Sequence, residues 1–197
     1  MKESLKALGL ARLSQQHNLL TLGVASVASA ALLALLLTRL LAAGQAASGA
    51  PTYPLAGHPA ADFTLSTWTW DGSPSQTIHL AAFKGHPIII NFWASWCDAC
   101  RAEEPVLEAA WRKYQAQGMV FIGVAFEDRQ QPGTDFLRQY GVTFPSGPDP
   151  TGAIAVAYGI VGVPETIFID RHGTVVSKIN GALDERTLER TLHAMLR

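Results

Sequence analysis

The sequence predicts an α/β domain built on a mixed central sheet flanked by helices, and three features carry that prediction. Ile88-Ile89-Ile90-Asn91-Phe92-Trp93 is almost continuously apolar, as expected of a central strand covered on both faces, and a helical pattern follows it from Ala99. Met119 to Ala125 reads as a second buried strand, and a helix over Thr134 to Tyr140 crosses back in a right-handed strand-helix-strand unit, so the sheet is largely parallel here. Thr166 to Ile169 and Thr174 to Ile179 flank the turn Asp170-Arg171-His172-Gly173 and add an antiparallel hairpin.

At 197 residues the chain has room for one domain of about 150 residues and an additional segment, which is N-terminal. Residues 1–18 carry Lys2, Lys6 and Arg12 against the single acid Glu3, and Leu19 to Thr38 then runs for twenty residues without a charge. Twenty helical residues at about 1.5 Å each match the roughly 30 Å apolar core of a bilayer, and the basic flank predicts a cytoplasmic N-terminus. The expectation is a cytoplasmic segment over 1–18, a single transmembrane anchor over 19–43, a flexible linker over 44–59 and the folded domain over 60–197, on the extracytoplasmic, periplasmic side of the cytoplasmic membrane. The competing reading is a cleaved signal peptide ending among Ala42, Ala43, Gly44, Ala46 and Ala47. Apolar cores of such peptides run to about 7 to 15 residues, shorter than this run, which favours the anchor.

Within the domain, Asp62 to Leu65 and Thr77 to Leu80 alternate about the turn signal Asp71-Gly72-Ser73-Pro74, which predicts an N-terminal hairpin at a sheet edge. Trp68 and Trp70, two positions apart, read as one packed face of a strand. In the helix after the central strand, Val106, Leu107, Ala110, Trp111 and Tyr114 recur at helical spacing and Gly118 supplies a stop. Pro105, inside that helix, removes a backbone donor and is expected to kink it. The Gly- and Pro-rich stretch from Tyr140 to Pro164 reads as a local insertion, with a short apolar run from Ala153 to Tyr158. Asp184 is placed to cap a last helix that uses Leu188, Leu192 and Leu196.

A net charge of -1 provides no basic stripe, which sets nucleic acid aside as a partner. The two cysteines, Cys97 and Cys100, stand three positions apart in Trp96-Cys97-Asp98-Ala99-Cys100 at the strand-to-helix junction. Such a pair closes a small ring when oxidised, and the amides of the helix N-terminus favour the thiolate of the first cysteine. That is redox chemistry. No third sulfur is available for a structural disulfide or a four-cysteine zinc site, and the six histidines are scattered away from the motif in sequence, so neither a metal nor a cofactor is expected. Glu103 follows Cys100 by three positions and shares its helix face, which places a carboxylate near the sulfur; Glu104 fits a solvated surface better.

The segments Asn91-Phe92-Trp93-Ala94-Ser95-Trp96-Cys97, Cys100-Arg101-Ala102-Glu103-Glu104-Pro105 and Gly162-Val163-Pro164-Glu165-Thr166, in that order, resemble the thioredoxin superfamily, specifically its membrane-anchored TlpA/ResA/DsbE-type thiol-disulfide oxidoreductases of cytochrome c biogenesis. The resemblance covers about residues 57–197 and departs at Ala99, where many members carry proline. It implies a thioredoxin-like fold, an exposed nucleophile at Cys97, a resolving thiol at Cys100 and a proton acceptor for that thiol at Glu103. It also implies a cis bond before Pro164, with the Val163 backbone beside Trp96 free to pair with a client peptide, and with Glu165 either selecting that partner or standing as an exposed strand-end charge. The implied clients are disulfide-bearing exported proteins, with apocytochrome c favoured, and the implied electron source is a membrane thiol donor. The alternatives are a general extracytoplasmic thioredoxin, a peroxiredoxin-like antioxidant and a copper chaperone.

Overall fold

In the computed structural model the described residues are 55–196 together with Ala34, Leu35 and Thr38, which are helical. The expected cytoplasmic segment, all but these three residues of the expected anchor, and most of the expected linker lie outside the described residues. Among the described residues no helix is long and apolar enough to cross a membrane.

The apolar run Ile88–Trp93 forms β3, with every side chain buried. It lies in the middle of a five-stranded sheet ordered β5-β4-β3-β6-β7, formed also by β4 (Val120–Ala125), β5 (Ser146–Pro148), β6 (Glu165–Ile169) and β7 (Val175–Asn180). β4 runs parallel to β3 and to β5, whereas β6 is antiparallel to both β3 and β7, which makes the sheet mixed as expected. Helices α1 (Asp98–Tyr114), α2 (Gln130–Tyr140), α3 (Ala153–Ala157) and α4 (Glu185–Met195) complete the domain.

Because side chains alternate across a strand, β3 divides its residues between two cores. Ile89 and Trp93 join the core shared with Leu107 and Tyr114 of α1, Phe136 of α2 and Leu188 of α4, where the Trp93 and Phe136 rings stack at 4.5 Å. Ile88, Ile90 and Phe92 join Ile122, Val124, Ile154 and Tyr158 on the opposite face. Asn91 has the same parity as Ile89 and Trp93, so the one polar residue of the strand is turned toward α1.

One sequence expectation is revised and three gain detail. The stretch from Tyr140 to Pro164, expected as a local insertion, carries regular structure of its own: Ser146–Pro148 pairs with β4 as the sheet's outer strand, and Ala153–Ala157 is a short helix whose Ile154 packs into the second core. Its glycines and prolines concealed a strand of three residues. Trp68 and Trp70 lie beyond the hairpin β1 (Thr64–Ser66) and β2 (Thr77–His79), in irregular backbone. They are nonetheless packed, Trp68 against Gly133 and Trp70 through its indole N–H to the Val142 carbonyl at 2.8 Å. The hairpin is a separate two-stranded sheet, joined to the edge strand β5 by the Trp68 N–H bond to Ser146 O at 2.8 Å. Finally, α1 continues through Pro105 as one helix and closes through a turn of tighter helix at Gly118, whose φ of 82° lies in the left-handed region that glycine enters without steric cost.

Candidate redox site

The loop from β3 to α1 carries both sulfurs to the carboxyl end of the sheet. Cys97 is the N-cap of α1, and its sulfur accepts the backbone N–H of Cys100 at 3.0 Å. The two cysteines are joined as a disulfide, with their Cα atoms 5.3 Å apart. Cys97 retains 7 % of its surface and Cys100 none, so an incoming thiolate or client can reach only the first sulfur. When the bond opens, the Cys100 amide and the helix N-terminus remain aimed at Cys97 and favour negative charge there.

The loop is held from below by an acid that the sequence reading did not single out. Asp128, just past β4, accepts both the Ser95 N–H at 2.6 Å and the Ser95 hydroxyl at 2.9 Å. The turn leading to it passes through Glu127 at φ 46°, an uncommon conformation for a residue with a Cβ. Above the loop, Arg101 donates to Ser95 O at 2.7 Å and to Asp98 at 3.0 Å. Asp128→Ala should therefore free the loop and slow disulfide exchange by about tenfold while leaving the fold intact, since hydrogen bonds to a charged group contribute about 1.5–3 kcal/mol. Equal exchange rates in stopped-flow kinetics would show that Asp128 does not position the loop.

Glu103 is buried, at 1 % exposure, one helical turn along α1 from the resolving Cys100. Its Oε1 accepts from the Asn91 amide at 2.9 Å and its Oε2 from the Leu183 N–H at 2.8 Å. Burial pushes its carboxyl up to about 7 against the opposing pull of those two bonds. A carboxyl poised near neutrality one turn from Cys100 can exchange a proton with that thiol at physiological pH. Asn91 also donates to Thr166 at 3.0 Å, tying β3 to β6 beneath the site. A lone amide within an apolar strand was a visible signal for this role.

The reading of Glu104 as a solvated surface residue is overturned: it is as buried as Glu103, because the helix face that packs on the sheet also includes Leu107 and Glu108. Burial first, and then the negative charges of Glu103 and Glu108, push its carboxyl up to about 8. Glu108, by contrast, is paired with Arg112 at 2.6 Å and accepts the Thr143 N–H and hydroxyl at 2.8 and 2.6 Å.

Opposite the disulfide, the Val163–Pro164 peptide is cis and the Val163 carbonyl lies 3.7 Å from the Cys97 sulfur. Trp96, 57 % exposed, and Val161, 87 % exposed, present apolar surface on the two segments that meet there. Glu165 does not share that exposure. It is buried and ion-paired at 2.5 Å with the equally buried Lys178 of β7, so it is not an exposed strand-end charge. Its other oxygen accepts the Val161 N–H at 3.3 Å, and the Lys178 ammonium donates to Gly159 O at 2.6 Å. Among the described residues no group of three or more histidine, cysteine or acidic side chains is placed to hold a metal ion.

A thioredoxin-like mixed sheet, with a two-cysteine disulfide at a helix N-terminus and only the first sulfur reaching the surface, defines a thiol-disulfide oxidoreductase. The chain belongs to the AhpC/TSA family, whose model matches residues 56–178. Among curated relatives it is 32% identical over 133 residues to the thiol-disulfide oxidoreductase ResA of Oceanobacillus iheyensis, covering 68% of this chain and 69% of the relative. It is also 32% identical over 130 residues to the thiol:disulfide interchange protein DsbE of Pseudomonas fluorescens biotype C, covering 66% and 68% of the two chains. Among solved structures, a Chlorobium tepidum protein assigned as thiol:disulfide interchange protein DsbE superposes with a TM-score of 0.66 at 30% identity, over 72% of this chain and 98% of its own.

Proposed function

We propose that the protein is a membrane-anchored reductase of disulfides in exported proteins, with apocytochrome c the favoured client during cytochrome c maturation. The observation that carries the reading is the buried Glu103, held by Asn91 and Leu183 within a turn of a fully covered Cys100. This arrangement suits a resolving thiol that must lose its proton only after a client is attached. The likeness to a ResA and a DsbE supports the choice of pathway, and the charge-free run from Leu19 to Thr38 behind a basic flank supports an extracytoplasmic domain on a single anchor.

In the reducing direction, the Cys97 thiolate attacks a client disulfide, forming a Cys97–client bond and releasing one client thiolate. The Cys100 thiol then passes its proton to Glu103, and its sulfur attacks Cys97. The Cys97–Cys100 bond forms, the Cys97–client bond breaks, and the second client sulfur leaves with the electron pair and takes a proton from solvent. Two electrons have moved from the cysteine pair to the client, and a membrane thiol donor must restore them. No cofactor enters these steps.

The decisive experiment is deletion of the gene followed by measurement of covalently bound haem. Loss of c-type cytochromes, restored by the wild-type chain and not by Cys97→Ser, is the expected result. Normal cytochrome levels would transfer the reading to a general extracytoplasmic thioredoxin. Glu103→Gln should slow resolution of the mixed disulfide by about 10- to 100-fold and remove an inflection near pH 7 from its rate. An unchanged pH profile would remove Glu103 from the proton path.

A further inference from the structure

Glu104 has no part in the steps above, yet its placement is unusual for an acid. The side chain is 1 % exposed and its Oε1 has no hydrogen-bond partner. It follows Cys100 by four positions in α1, so the two side chains are neighbours on one helix face, with Glu103 beside them. A buried carboxylate in such a place is normally paired or bonded. The groups that could do so are already engaged. On α1 itself, Glu103 and Glu108 are like charges, and Arg112 pairs with Glu108. From β3, the Asn91 amide donates to Glu103 and to Thr166 of β6. The Leu183 N–H after β7 goes to Glu103, and Thr143 after α2 goes to Glu108. The surroundings thus favour the neutral acid, in keeping with a carboxyl pushed up to about 8.

We propose that Glu104 sets when the resolving thiol reacts: as a neutral acid it leaves Glu103 as the nearest charge to Cys100 and free to act as its base, and as a carboxylate it adds a second negative charge one turn from that sulfur and holds the proton on it. Glu104 is a positioning residue in this scheme, acting through charge on Glu103 and Cys100 and not by contact with the client. The proposal rests on the thiol-exchange reading and adds to it an upper pH limit that the two cysteines and Glu103 do not supply.

The test isolates the step that Cys100 performs. Reduced full-length protein is treated with 5,5′-dithiobis(2-nitrobenzoate) to form a mixed disulfide at Cys97, and attack by Cys100 is followed as release of the second thionitrobenzoate. In Glu104→Gln and Glu104→Met, neither of which can ionise, the rate relative to wild type should grow by up to about a hundredfold between about pH 6 and pH 9, as expected for removal of one charge at about 6 Å with an effective dielectric constant of about 20. A merely structural role changes the rate by the same factor at both pH values, and that result in either folded variant overturns the proposal. In the unmodified protein labelled with ¹³C-glutamate, two buried carboxyls should titrate over the same range, one of them still present in Glu103→Gln; a single titrating carboxyl that disappears in Glu103→Gln overturns the proposal even if neither Glu104 variant folds. Because the probe replaces the client, failure of the cytochrome reading would leave these outcomes intact.

Discussion

Cys97→Ser should abolish disulfide exchange, lowering the rate by on the order of a thousandfold or more, whereas Cys100→Ser should retain the first attack and stall after it. The asymmetry follows from position. Of the two cysteines only Cys97 keeps solvent contact, and it alone receives the helix N-terminus and the Cys100 amide. A serine hydroxyl there is a weak nucleophile without a general base, since Glu103 lies one helical turn beyond Cys100 and is already bonded to Asn91 and Leu183. Cys100 is sealed beneath the loop and meets only a partner already linked to Cys97. Removing it should therefore convert a catalyst into a trap, with clients accumulating as covalent adducts that non-reducing electrophoresis reveals and mass spectrometry names. Adducts forming equally well on Cys97→Ser would reverse the assignment of the two sulfurs.

The second large effect is on stability. Glu103 and Glu104 both titrate in the folded protein above the ordinary carboxyl value of 4.5, at about 7 and about 8. Between these values and 4.5 the folded state binds more protons than the unfolded state, so stability falls as pH rises. Their contribution is fully present below about pH 4.5 and is lost progressively up to about pH 8, a change on the order of a few kcal/mol. Asp184 has the opposite sign: the Thr187 N–H holds its carboxyl below the usual range, and it favours folding only above the acid limb. The oxidised protein should thus have a higher urea midpoint near pH 5 than near pH 8.5, and Glu104→Met should flatten that slope and raise the midpoint most on the alkaline side. A slope unaltered by the substitution would show that Glu104 ionises as an ordinary carboxylate.

The central strand, the strand-helix-strand crossover and the cysteine pair were legible because each imposes a local pattern: unbroken apolar residues, helical spacing, and two sulfurs at a fixed interval. The third strand pairing was not. Ser146–Pro148 has only three residues, and its assignment to the sheet depends on long-range bonding to β4 that no local pattern encodes. Burial of Glu104 was hidden for a related reason. Glu103 and Glu104 are adjacent in sequence, and helical periodicity cannot tell whether the apolar stripe is wide enough to cover one or both. Asn91 offered more, since an amide in an otherwise apolar strand invites a search for its partner. Asp128 offered nothing local, because its role depends on a turn that returns to Ser95 from another strand.

The buried ion pair between Glu165 and Lys178 bears on how the redox site is held ready. Through Val161 N–H on one side and the Gly159 carbonyl on the other, it fastens the segment that leads to Pro164 against β7. The backbone that faces Cys97 is therefore preassembled before any peptide arrives, and ordering it adds little to the entropic cost of docking. Recognition through a stiff main-chain edge is indifferent to most client side chains. Loosening the pair should raise the apparent KM for a disulfide substrate and leave the chemistry of the sulfurs as it was, so readiness of the docking edge is a mechanical property of the scaffold.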